Sequence, residues 1–75
     1  MIQSVVFYKT EMTMKEALAF LRRHGYRTDK LDITPNTYRF RQADPDVLER
    51  RHYRFRTRGF PGGFFVLAYE GDVRA

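Results

Sequence analysis

The spacing of apolar positions changes several times along this chain, and each change predicts an element. From Gln3 to Lys9 the run Gln-Ser-Val-Val-Phe-Tyr-Lys is rich in β-branched and aromatic residues, which predicts a strand. Met14, Ala17, Leu18 and Leu21 then recur at helical intervals. Thr13 stands at the N-cap position with Glu16 three residues on, the capping-box spacing. Arg22, Arg23 and His24 fall in the last turn, where cations favour the helix dipole. Gly25 supplies a left-handed stop, and Tyr26 is the apolar residue that folds back after it. The helix is therefore expected over residues 14–24.

Downstream the spacing returns to two. Around the turn residues Pro35 and Asn36, a loop over residues 34–37 sets Ile33 against Tyr38, Asp32 against Arg39, Leu31 against Phe40 and Lys30 against Arg41. That register gathers Leu31, Ile33, Tyr38 and Phe40 on one face, so turn position and alternation agree. Pro35 cannot take the positive φ of a primed turn, which favours a four-residue loop. Asp44 and Pro45 have the cap and first-turn chemistry of a short helical segment. Residues 53–58 and 64–69 read as two further strands joined by the glycine-rich turn at 59–63, followed by a loose tail. The last strand has two apolar sets, Phe64, Val66 and Ala68 against Phe65, Leu67 and Tyr69. One helix can cover only one set; loops, a partner or a second copy would cover the other. The expected fold is α+β: one helix packed on a single, mostly antiparallel sheet of four or five strands.

Seventy-five residues make one expected domain. A chain this short buries roughly 60% of the surface it exposes when unfolded. Seven Phe and five Tyr supply the core area, and no cysteine is present to add a disulfide or a cysteine-bound zinc. The formal charge is +5, with fourteen Lys and Arg, eleven of them Arg, against nine Asp and Glu. Such a balance favours anionic partners. The apolar run near the start is too short for a signal core and lacks a basic leader. Nothing approaches a membrane span.

The tetrad Tyr-Arg-Phe-Arg occurs at Tyr38–Arg41 and again at Tyr53–Arg56. Neighbours on a strand point to opposite faces. If Tyr38, Phe40, Tyr53 and Phe55 face the helix, Arg39, Arg41, Arg54, Arg56 and Arg58 form one basic plate on the reverse side, with Arg50 and Arg51 beside it. Asp32 would relieve Arg39. The strands at residues 3–9 and 64–69 bring no acid to the plate, so like charges would stand side by side unless an anion joined them. A solvated outer face is the plain reading. The leading functional reading is a surface for the phosphates of DNA or RNA, and the alternative is a surface for carboxylates of an acidic host or virion protein. In the second case Phe60, Phe65, Leu67 and Tyr69 are the apolar anchors.

Catalytic and metal chemistry find little support. His24 and His52 lie on different elements, Ser4 is the only serine and has no evident base beside it, and no carboxylate pair, phosphate loop or metal-ligand spacing occurs. The stretch Arg58-Gly59-Phe60 begins like the aromatic motif of RNA-recognition domains. Pro61-Gly62 then break its phase, and a tight hairpin turn is the better reading. The chain is expected to be a binding module rather than an enzyme, without metal or cofactor and away from membranes, as a monomer or homodimer.

Glu16, Ala17, Leu21, His24, Gly25 and Tyr26, then Asp32, Thr34, Asn36, Tyr38, Arg39, Phe40, Arg41, Gln42, Asp44 and Pro45, then Phe55, Arg56 and Thr57 follow an order of motifs that resembles a small domain of bacteriophage-encoded proteins. The likeness runs from about Thr13 to Tyr69. That domain has no assigned activity. The resemblance implies a phage or prophage origin, hence the cytoplasm of a bacterial host, with roles such as virion assembly, DNA handling or interference with a host protein.

Overall fold

A computed structural model describes residues 1–43 and 53–70 of the chain. The expected helical turn at Asp44 and Pro45, the residues Arg50, Arg51 and His52, and the tail beyond Glu70 lie outside the described residues. Five strands and one helix follow in the order β1 (Ile2–Tyr8), α1 (Met14–Arg23), β2 (Leu31–Ile33), β3 (Thr37–Arg41), β4 (Tyr53–Phe60) and β5 (Gly63–Glu70). They form one five-stranded sheet in the order β2-β3-β1-β5-β4, and every neighbouring pair is antiparallel. The fold is α+β, as the apolar pattern predicted.

β1 is central because it is the strand that can be buried on both faces. Gln3, Ser4, Val5, Val6 and Phe7 are all buried, and a near-continuous apolar run suits such a position. The register shifts between Ile2 and Ser4, a β-bulge that gives Gln3 and Ser4 a shared polar role. Val5 and Phe7 face α1 and meet Ala17, Leu21 and Phe40 in the core. Phe7 lies edge-on to Phe20, Phe40 and Phe60, with centroids 5.5, 5.9 and 5.8 Å away. Edge-to-face ring pairs of this kind add roughly 0.5–1.5 kcal/mol each beyond the area they bury.

α1 begins with the capping box the spacing predicted. The Glu16 amide donates to Thr13 Oγ1 at 3.2 Å, and the Thr13 amide donates to Glu16 Oε1 at 3.0 Å. The helix ends one residue earlier than expected, with His24 as C-cap. Gly25 takes φ +74°. The Tyr26 amide reaches back to the Leu21 carbonyl at 2.8 Å and the Gly25 amide to Arg22 at 3.2 Å, the paired bonds of a Schellman end.

The β2–β3 register is the expected one: Leu31 pairs Phe40, Asp32 pairs Arg39 and Ile33 pairs Tyr38, while the Arg41 amide donates to the Lys30 carbonyl at 2.9 Å. Asn36 has no positive φ, so the loop is not a primed turn. Thr34 closes it instead: its amide donates to the Thr37 carbonyl at 3.0 Å, and its Oγ1 accepts from the Thr37 amide at 2.9 Å.

Candidate interaction surface

The hairpin between β4 and β5 decides where three of the arginines, Arg54, Arg56 and Arg58, point. Phe60 pairs directly with Gly63, so Pro61 and Gly62 alone make the turn. Gly62 adopts φ +103°, and proline followed by a glycine of positive φ is the signature of a type II turn. The expected turn over residues 59–63 is thus narrower, and both strands run further than predicted. Phe60 was expected as an exposed anchor at the turn tip. It lies half-buried instead, stacked on Phe20 at 5.1 Å with planes 10° apart, and 4.8 Å from Phe65.

Once Phe60 enters the core, alternation places Arg58, Arg56 and Arg54 on the same side of the sheet as α1. The cross-strand partners agree. Arg58 pairs Phe65, Arg56 pairs Leu67 and Arg54 pairs Tyr69, and Phe65 in turn pairs Val5 of the helix-facing core. Arg39 and Arg41 alternate with Tyr38 and Phe40, which face the helix, so these two arginines point the opposite way. The single plate expected from the doubled tetrad does not form. Its two copies present their arginines on opposite faces. Phe55, expected under the helix, sits on the reverse face with Thr57, opposite Ala68 and Val66, and is 54% exposed.

The reverse face is no open cationic plate either. Ser4 is 0% and Val6 4% exposed there. Arg39 is half-buried, donating from Nε to Ser4 Oγ at 3.2 Å and from Nη2 to Gln3 Oε1 at 3.2 Å. Ser4 Oγ donates in turn to Gln3 Oε1 at 2.5 Å. Asp32 was expected to relieve Arg39, its cross-strand partner. Its carboxylate reaches diagonally to Arg41 instead, with Oδ2 3.3 Å from Nε; the approach satisfies charge, but Nε lacks a directed hydrogen bond. Arg39 and Arg41 are held by the fold. Sequence reasoning missed the Gln3–Ser4–Arg39 network, and only the bulge that turns Gln3 and Ser4 to one side creates it.

What remains is a strip along β4. Arg54, Arg56 and Arg58 are exposed, lie on an outer strand of the described sheet, and stand in register with Tyr69, Leu67 and Phe65. Their Cα atoms recur about every 6.7 Å, two strand residues apart. The Arg56 guanidinium carbon lies 5.7 Å from the ring centre of Tyr69, and Tyr69 is 36% exposed. Of the expected apolar anchors, Phe60, Phe65, Leu67 and Tyr69 share the helix side. Phe65 is packed against Phe20, Tyr26 and Phe60, which leaves Tyr69 as the most open of the four.

No family model, curated protein or solved structure matches this chain. Among the described residues no group of three or more His, Asp or Glu is placed to hold a metal. No described helix is long and apolar enough to cross a membrane.

Proposed function

We propose that the protein is a non-enzymatic interaction module that engages an acidic segment of a protein partner through the arginine strip of β4. The observation that supports this most directly is the register: Arg54, Arg56 and Arg58 share one face of an outer strand, opposite Tyr69, Leu67 and Phe65. A row of exposed guanidiniums on one strand face suits carboxylates, which Arg binds as a planar fork. Phe55 on one side of the strand and Tyr69 beside the row add exposed aromatic surface, and aromatic residues with Arg are the side chains that dominate protein interfaces.

Contact with the phosphate backbone of DNA or RNA is the second reading. The formal charge of +5 favours it. The split of the arginines weighs against it, because a backbone surface gains from many cations on one side, and Arg39 and Arg41 are turned away and occupied. Binding of a fluorescent acidic peptide, a duplex and a single strand at low salt separates the two. The acidic peptide should bind, and R54A/R56A/R58A should weaken it by about tenfold or more, equivalent to about 1.4 kcal/mol. Tighter binding of either nucleic acid, with a steep loss on adding salt, would replace this reading by the second.

A further inference from the structure

β4 offers more than its side chains. It is eight residues long and lies at the end of the strand order, and among the described residues no strand pairs with its outer edge. A long outer strand presents a row of backbone donors and acceptors ready to pair with another chain. We infer that the acidic partner is held by strand addition: an extended segment pairs with the outer edge of β4, with Asp or Glu at every second position. The inference rests on the reading of β4 as the contact strip and specifies how that strip is used.

Register supplies the recognition pattern. A strand added about 4.8 Å away places its residues directly opposite those of β4. Residues facing Arg54, Arg56 and Arg58 would stand with Cβ atoms about 4.5–5.5 Å from theirs, where opposite charges favour pairing and like charges oppose it. The intervening residues face Phe55, Thr57 and Gly59 on the other side. Phe55 is 54% exposed, so an apolar or β-branched residue opposite it gains area, whereas Gly59 leaves room for any side chain, with nothing within 4 Å of a Cβ built there. The favoured segment alternates acid with apolar or β-branched residues. Charge also opposes the simplest rival. A second copy pairing antiparallel through β4 and centred on Arg56 would set Arg54 against Arg58 and Arg56 against itself, so the arginines that attract an acidic strand repel another copy.

The probe is a capped heptapeptide alternating Glu with Val and Thr, and the readouts are fluorescence anisotropy and amide hydrogen exchange of β4. The peptide should bind. Exchange should slow at the alternate β4 amides that do not bond to β5. A peptide strand directs successive amides to opposite edges, so N-methylation of the Glu amides or of the Val and Thr amides should remove one edge at unchanged charge. One methylated set should lose about tenfold or more in affinity and the other should retain it. If both sets bind as the parent does and no β4 amide slows, strand addition is overturned, while acidic docking on the arginines stands. If no acidic peptide binds at low salt, the docking reading falls with it. Outward β4 amides already protected in the free protein would show an occupied edge and overturn the inference. A single-stranded oligonucleotide that displaces the peptide at lower concentration would also overturn it.

Discussion

A Cβ at Gly63 would overlap the Val6 carbonyl oxygen and come within 3.0 Å of Phe7 Cα. Gly63 stands in the row between Phe60 and Phe7, so neither strand can move without disturbing the core. G63A should exceed the roughly 3–5 kcal/mol available to a domain of this size, seen as loss of a cooperative thermal transition by circular dichroism. Gly59 is the control on the same hairpin. Its conformation is extended and nothing lies within 4 Å of a Cβ there, so G59A should be neutral or stabilise by about 0.4–1 kcal/mol through the unfolded chain. The arginines divide in the same manner. Arg39 donates to Ser4 Oγ and Gln3 Oε1 on residues 0% and 5% exposed, so R39A should cost about 1–3 kcal/mol by taking the donor from the buried Ser4 oxygen and leaving Gln3 Oε1 with the Ser4 hydroxyl alone. Arg58 is exposed on the outer strand, and R58A should change stability by no more than about 0.5 kcal/mol. Chemical denaturation of both variants checks the contrast; equal losses would contradict the division of roles.

α1 was the element most legible in the chain, because its start and stop depend on near neighbours. Thr13, Glu16, Gly25 and Tyr26 are each read by the backbone within a few residues, so spacing alone specifies them. T13A should cost about 1 kcal/mol of stability, as loss of an N-cap hydroxyl does. The box also makes the helix sensitive to acid. The backbone hydrogen bond from Thr13, and then its side chain, holds the Glu16 carboxyl below the ordinary carboxylate range. The Arg27 side-chain hydrogen bond does the same for Asp29. A depressed folded value contributes stability that is complete above the unfolded value and disappears as pH falls through the folded one. Thermal midpoints should therefore fall as pH drops below about 4.5, near and under the usual carboxylate values. E16Q keeps an acceptor for Thr13 but cannot titrate, so it should flatten part of that decline; an unchanged acid slope would remove Glu16 as a contributor. β2 and β3 were legible for a related reason. A short loop joins them, and the alternation of Leu31, Ile33, Tyr38 and Phe40 admits one register.

Over the whole molecule, charge and topology act together at β4. Among the described residues the strand is outermost and long, which invites pairing with copies of itself, and its arginines oppose that pairing at the distances of neighbouring strands. The protein should remain monomeric as concentration rises in low salt, measured by sedimentation equilibrium. R54E/R56T/R58T removes the like-charge row from the edge and should promote association if the row guards it. A wild-type dimer broken by mutations in β4 would contradict this account and place self-association where acidic docking is proposed.

The amino-acid sequence by itself determined what local chemistry can specify: the capped helix, the β2–β3 register and a first strand rich in apolar residues, whose central place in the sheet only the fold decided. It also determined that β4 alternates arginine with other residues. Which face receives those arginines was decided only by the folded chain. Phe60 stacks on Phe20, a residue from a distant element, and that single insertion fixes the parity of Arg58, Arg56 and Arg54. Arg39 likewise found its partners across the sheet, on a bulged strand 35 and 36 residues earlier. A strand's alternation has two solutions of equal local energy, and only long-range packing chooses between them.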